Sequence, residues 1–438
     1  MTVCHHLEAT TAGPRWFSPQ GEFTAGELAA TAQRLRGEFP PAPPAAVALR
    51  QPDNFRAALW LASLDGRADR ILLLPASLDD DQAAAFCAQA ECDGVMTRDP
   101  LETVVREGSD TATASVPTRW IIPTSGTTGT PKLVSHTLAT LTRSAQQDKT
   151  KGAAFRWGLL YDVTRFAGLQ VFLQAVCGGS ALIFPDVHAE LGAQVEFLAA
   201  RGCNALSATP TLWRKILMMP ESRALPLRHI SMGGEIADRR VLEAVAAAWP
   251  EARVRHIYAS TEAGVGFSIA DGKPGFPAAF LDAPPPGVEL RVDESNMLWL
   301  RPAVRGQDYI QQGLRIEGDE GWIPSGDIVR RDGERFLFCG RENGAINVGG
   351  NKVFPQEVEE VILQVPGVAA AVVAGRANPI MGQLVEARVV AQPGIAEEAL
   401  RPVILSACRE KLQRWQIPAM VKFVPAIATT AAGKAARI

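Results

Sequence analysis

Short apolar runs alternate along this chain with segments whose apolar residues recur at helical spacing. Residues 23–35 put Leu28, Ala32 and Leu35 on one helical face behind a threonine cap, and Pro40 to Pro44 break the element. Residues 46–50 then read as a strand, 54–64 as a helix stopped by Gly66, 70–74 as a second buried strand and 80–92 as a second helix. Such alternation predicts a layered α/β domain with parallel pairing. Polar residues 100–117 predict a surface loop leading to a strand that ends at Trp120-Ile121-Ile122. Further on, helices are expected over 137–147, 195–201 and 237–249, and strands over 180–184, 205–208, 227–232 and 254–258. Apolar runs occupy 159–162 and 171–176.

Residues 278–340 change to short alternating segments around Pro284-Pro285-Pro286-Gly287, which predicts a small β-rich subdomain. From about residue 345 the pattern is compact α+β: helix 355–363, strands 368–374 and 385–390, a Pro393-Gly394 turn, and helix 395–412. A boundary near 342–344 leaves a C-terminal unit of roughly 95 residues, an ordinary domain size. The expected fold class is therefore α/β, a large N-terminal domain (1–342) of layered subdomains followed by a small α+β domain (343–438).

The 438 residues suffice for two or three domains with a sizeable core. A net charge of −3 supplies no field for nucleic acid or an anionic membrane. The seven cysteines form no C-x2-C pair, so neither a zinc site nor a disulfide framework is signalled. Cys4-His5-His6 is expected in a frayed terminus rather than at a metal. With no leader-like start and no run of about 18 apolar residues, a cytoplasmic location is expected.

The densest candidate chemistry follows the strand at 120–122. Thr124, Ser125, Gly126, Thr127, Thr128, Gly129 and Lys132 combine hydroxyls, glycines and an ammonium within nine positions. Glycine lets backbone N–H groups turn toward an anion, and the side chains add donors, so the stretch reads as a phosphate cradle. It does not have the G-x4-G-K-[ST] spacing of a P-loop.

This T-S-G-T-T-G-x-P-K string resembles the nucleotide loop of the adenylate-forming superfamily of acyl- and aryl-CoA synthetases, adenylation domains and luciferases. Later segments resemble that family's motifs in order. Tyr258-Ala259-Ser260-Thr261-Glu262 is similar to Y-G-x-T-E, with Ala259 replacing glycine. The resemblance implies that Tyr258 stacks on adenine, that Thr261 borders the nucleotide, and that Glu262, with Thr128, serves Mg²⁺. Ser325-Gly326-Asp327 resembles the [ST]-G-D signature, whose aspartate holds the ribose hydroxyls. The block from Gly340 to Glu359 resembles the family's hinge segment, with Arg341 near ribose or phosphate and Asn343 at the hinge. The tail Ala428 to Arg437 resembles P-x-T-x-x-G-K-x-x-R, which makes Lys434 the expected catalytic lysine on a mobile lid.

By the same resemblance, Tyr161, Arg165, Phe166, Gly233, Gly234 and Ala259 fall where the family builds its acyl pocket. Arg165 suits a carboxylate or phosphate, or a surface ion pair. Asp162 resembles loosely the aspartate that holds an α-ammonium group in amino-acid adenylation domains. Gly349 and Gly350 lie where relatives pass pantetheine, whether of CoA or of an acyl carrier protein. The implied activity is AMP-forming acid–thiol ligation: a small aryl or medium acyl acid, ATP and Mg²⁺, then CoA or a holo-carrier, in a monomer or homodimer. Loading of a carrier protein and a non-catalytic acyl or nucleotide sensor on the same fold are the alternatives.

Overall fold

The computed structural model describes residues 2–9, 15–37, 46–97, 117–124, 132–304, 308–311, 315–430 and 434–436. The loop expected over 100–117 falls almost wholly outside them. Two α/β layers make up most of the N-terminal part. One is a six-stranded sheet in the order Asp308–Tyr309, Leu133–His136, Arg119–Pro123, Arg70–Leu73, Ala46–Leu49, Gly94–Met96. Its central strands are parallel, with Val47 beside Ile71 and Ile71 beside Trp120. All four residues of Ala46–Leu49 are buried, as a parallel strand covered on both faces requires.

The second sheet has eight strands. Six are parallel (Arg253–Ser260, His229–Gly233, Ala205–Ala208, Arg156–Gly158, Ala181–Ile183, Arg15–Ser18), and Gly264–Ile269 and Gly21–Thr24 close its two edges antiparallel. Helices Asn54–Leu64 and Phe166–Gly178 are buried along most of their length, and one continuous core joins residues of both sheets, from Val47 and Trp120 to Trp157 and Leu182. Asp53 caps the first helix by accepting the Arg56 N–H at 2.8 Å.

The expected β-rich subdomain is a five-stranded sheet ordered Phe276–Pro277, Arg335–Arg341, Ile323–Asp332, Met297–Pro302, Val288–Val292, antiparallel throughout. In the C-terminal part, Val368–Asn378 and Gly382–Ala391 pair antiparallel, Met420–Phe423 adds a parallel strand, and helices Pro355–Leu363 and Glu397–Lys411 cover them. Its core, from Ile346 to Val421, is separate from the others.

Several local expectations are corrected. Residues 3–8 are not frayed: they form helix Val3–Glu8 with Cys4 and His6 buried, because Asp65 accepts the Val3 N–H at 2.8 Å and Lys149 donates to the His6 carbonyl. The helix expected over 137–147 stops at Thr142. Beyond it, the Arg143 side chain reaches the Ala263 carbonyl at 2.6 Å, and the Gln146 N–H donates to Gln174 Oε1 at 3.2 Å. Tertiary partners thus replace the helical ladder there. Among the elements absent from the apolar pattern are the hairpin of Arg15–Ser18 with Gly21–Thr24, helix Pro210–Leu217, and the hairpin of Ile346–Val348 with Asn351–Val353.

Candidate active site

The antiparallel strands Arg119–Pro123 and Leu133–His136 carry the base of the glycine- and threonine-rich segment. The Lys132 carbonyl accepts both the Thr124 N–H at 2.8 Å and its hydroxyl at 3.2 Å. Ser125, Gly126, Thr127, Thr128 and Gly129 lie outside the described residues. The Lys132 ammonium sits 4.9 Å from the centre of the Tyr309 ring, a cation–π contact. Burial, followed by the charge of Glu262, pushes the Tyr309 hydroxyl up to about 12. Lys132, Tyr309 and Glu262 therefore share one neighbourhood.

Asp327 and Arg341 are cross-strand partners. Gly326 takes φ 74°, a left-handed turn that aims the carboxylate, and the Asp327 N–H donates to Ser325 Oγ at 3.0 Å. Arg341 Nε lies 3.3 Å from one Asp327 oxygen, and the Tyr258 hydroxyl donates to the other. An ionised carboxylate offers about four lone-pair sites, so acceptors remain for a vicinal diol. Burial lowers the pKa of Arg341, yet the neighbouring Asp327 carries the net shift upward, so the guanidinium stays charged. The Tyr258 ring is stacked near-parallel with Phe267 and Phe338, at 5.1 and 5.0 Å. Its link to Asp327 in this structure is its hydroxyl.

Thr261 and Glu262 follow strand Arg253–Ser260. The Thr261 carbonyl is 2.7 Å from His136 Nε2, while His136 Nδ1 is 3.1 Å from Thr140 Oγ1. Burial lowers the His136 pKa to about 4, so the ring is neutral and donates one proton, to the carbonyl. Among the described residues no three His, Cys, Asp or Glu side chains gather into a metal cage. One carboxylate in the neighbourhood of the Lys132 ammonium would suit Mg²⁺, an ion that keeps several waters and takes few protein carboxylates.

Of the residues expected around the acid, Tyr161 is buried, and its pKa is raised by burial against the opposing effect of Ser207. Asn54 Nδ2 holds the Tyr161 carbonyl at 2.9 Å. Arg165 precedes helix Phe166–Gly178; its Nε is buried without a hydrogen bond and lies 3.9 Å from Asp162. Asp162 already accepts the Thr164 N–H and hydroxyl at 2.9 and 2.6 Å, which ties it into the local turn. The Phe166 ring centre lies 6.0 Å from that of His136, so the start of helix Phe166–Gly178 meets the support of Thr261. Gly233 ends its strand with a β-carbon position 3.3 Å from the Ile257 carbonyl, and Ala259 lies at a register shift next to Tyr258.

Lys434 comes from the far end of the sequence into this cleft. Its Cε lies 3.2 Å from where a side chain on Gly234 (φ 80°) would begin. Loss of solvation lowers the Lys434 pKa, Arg341 and Arg165 act with it, and Glu235 and Asp327 act against it. The lysine thus shares an electrostatic environment with Asp327 and Arg341 and with Arg165. Asn343 lies in the exposed turn Glu342–Gly344. Gly349 and Gly350, with φ 56° and 88°, form the exposed turn of the Ile346–Val353 hairpin rather than a part of this cleft. All seven cysteines are free, with pKa values raised first by burial, so no thiolate is poised as a nucleophile.

Residues 68–312 match the profile of the AMP-binding enzyme family, and residues 357–434 match the AMP-binding enzyme C-terminal domain. The uncharacterized acyl–CoA ligase YhfT of Bacillus subtilis is 26% identical over 250 residues, 55% of this chain, and the match spans half of that relative's length. The 2-succinylbenzoate–CoA ligase of Bacillus velezensis is 24% identical over 394 residues, 82% of this chain and 78% of its own. Among solved structures, the anthranilate CoA ligase AuaEII in complex with anthranoyl-AMP superposes with a TM-score of 0.81 at 17% identity, covering 99% of this chain and 95% of that one. The o-succinylbenzoate CoA synthetase MenE of Bacillus subtilis, with its acyl-adenylate intermediate, gives 0.76 at 18% identity and covers 100% and 97%. With the first profile spanning more than half of its residues, the chain belongs to the AMP-binding enzyme family and has the fold of the adenylate-forming enzymes.

Proposed function

We propose that this chain joins a small aryl or medium acyl carboxylic acid to the thiol of CoA in two steps. In the first, a carboxylate oxygen bonds to the α-phosphorus of ATP and the bond to pyrophosphate breaks, giving acyl-AMP. In the second, the thiol sulfur bonds to the acyl carbon and AMP leaves. The observation that carries this reading is the position of Lys434, whose charge is felt together with those of Arg341, Asp327 and Arg165 in one cleft. An ammonium there faces the charge that develops as carboxylate meets phosphate, where a fixed donor is worth most.

In this reading Asp327 holds the ribose diol, with Tyr258 and Arg341 fixing the carboxylate. Thr124, Ser125, Gly126, Thr127, Thr128, Gly129 and Lys132 cradle the β- and γ-phosphates. Glu262 and Thr128 hold Mg²⁺, which neutralises phosphate charge when bound. Tyr161, Arg165, Phe166, Gly233, Gly234 and Ala259 surround the acid. Domains 1–342 and 343–438 move about Asn343, and Gly349 and Gly350 reach the pantetheine path only after that movement.

A pyrophosphate-release assay with aromatic, aliphatic and amino acids tests the first step, followed by CoA and holo-carrier offered separately to the same preparation. Release that requires both an acid and Mg²⁺, with thioester formed on CoA, is expected. Thioester on the carrier alone would reassign the acceptor. No release with any acid would count against the reading and favour a nucleotide-binding sensor.

A further inference from the structure

Glu235 follows Gly234 in the turn after strand His229–Gly233. One of its carboxylate oxygens, Oε2, accepts the Thr211 N–H at 3.0 Å, in the first turn of helix Pro210–Leu217. The other, Oε1, accepts the Ala435 N–H at 2.8 Å, one residue beyond Lys434. The first bond ties the carboxylate to the rigid N-terminal body, at a helix end where negative charge is favoured. The second reaches across 200 residues of sequence to the lysine-bearing tail. His256, buried in the neighbouring strand, lies near the Glu235 backbone.

Other contacts join the two parts of the chain, one of them on the lysine-bearing tail, where Thr429 pairs with Ala435. Arg240 donates to the Leu363 and Val365 carbonyls, and Lys215 to Thr429 Oγ1 at 3.2 Å. Within the tail, the Thr430 N–H donates to the Lys434 carbonyl at 2.8 Å and the Ala436 N–H to the Ala428 carbonyl at 2.9 Å, so Lys434 and its neighbours pair back onto residues 428–430. Gripping Ala435 therefore places Lys434 as well. We infer that Glu235 is a positioning residue whose carboxylate bridges Thr211 and Ala435 and so holds Lys434 in the cleft. It acts through Lys434 and has no reason to serve the thiol-transfer step. The inference rests on the proposed reading for its catalytic consequence, though not for the bridge itself.

Glu235→Gln keeps the size of the side chain and one acceptor oxygen, so only one of the two N–H groups retains a partner. A bond to a charged acceptor is worth enough that its loss shifts the placement of the tail by about tenfold. Brief deuterium labelling, read by peptide mass spectrometry, reports on the tail without reference to activity. Labelling of the backbone amides in the peptide that carries Lys434 and Ala435 should quicken severalfold in Glu235→Gln, at an unchanged melting temperature. Acyl-AMP formation should fall about tenfold through kcat, while thioester formation from supplied acyl-AMP holds. The Glu235→Gln/Lys434→Ala double variant should adenylate no more slowly than Lys434→Ala alone, since the glutamate acts through the lysine. Unchanged labelling of that peptide would overturn the inference, as would equal loss of both half-reactions or full additivity in the double variant. If labelling changes but the unsubstituted protein makes no acyl-AMP with any acid, the functional reading fails and the bridge stands.

Discussion

At the scale of single residues, the account turns on which carboxylates face ligand and which face protein. Glu262→Gln removes charge from the proposed metal position with little change in volume. Adenylation is expected to fall at least about tenfold, or roughly 1.4 kcal/mol of transition-state stabilisation, and an unchanged response across a magnesium titration would remove Glu262 from the site. Tyr258→Phe deletes the hydroxyl that donates to Asp327 and leaves the ring stack in place. Binding of ATP, measured by calorimetry, should weaken by about tenfold with kcat nearly kept, since a bond to a charged acceptor contributes in the ground state as well. Equal affinity in the two proteins would mean that Tyr258 meets the nucleotide by its ring alone. Asp327, Arg341 and Lys434 are legible in the sequence because each stands in an ordered polar string with glycine nearby. The carboxylate of Glu235 and the ring of His136 are not, because their partners lie 200 and 125 residues away and leave no local pattern.

At the scale of elements, buried strands and the helices packed on them were readable from apolar spacing. The helix over 54–64 and the strand over 205–208 have the expected bounds, and the helix over 355–363 does too. Short elements were not, because they contribute too few apolar positions to set a period. Helix Pro210–Leu217 announces itself only by the Thr209 cap and Pro210 in its first turn. The hairpin around Gly349 and Gly350 was hidden behind a functional expectation. Both glycines carry the left-handed φ that a two-residue turn joining twisted strands needs. Gly350→Ala should therefore destabilise the C-terminal part by about 1 kcal/mol or somewhat more, although the space beside Gly350 is open. Denaturant unfolding followed by a probe in residues 343–438 checks this. A Gly350→Ala protein of unchanged stability would return the glycine pair to a purely functional explanation.

For the whole molecule, the cores are dry enough to strip imidazoles of charge. Burial is the first cause that lowers His6, His136, His229 and His256 from 6.5 to about 4. Below pH 6.5 these rings take up protons in the unfolded chain before they do so in the folded one. Each therefore contributes stability that is complete above pH 6.5 and is lost as pH falls toward 4. Their ring-proton resonances should stay still from pH 7.5 to about 5, and midpoints near 6.5 would contradict the burial described here.

The central claim is that a lysine near the end of the chain is brought into the N-terminal cleft for adenylation only. Lys434→Ala removes an ammonium from an otherwise small-residue tail, so the melting temperature should hardly move. The direct measurement is single-turnover acyl-AMP formation in Lys434→Ala against the unsubstituted protein, paired with thioester formation from chemically supplied acyl-AMP. The account predicts severe loss of the first, through kcat more than through substrate binding, with the second largely kept. Adenylation at the normal rate, or equal loss of both half-reactions in a folded protein, would contradict it.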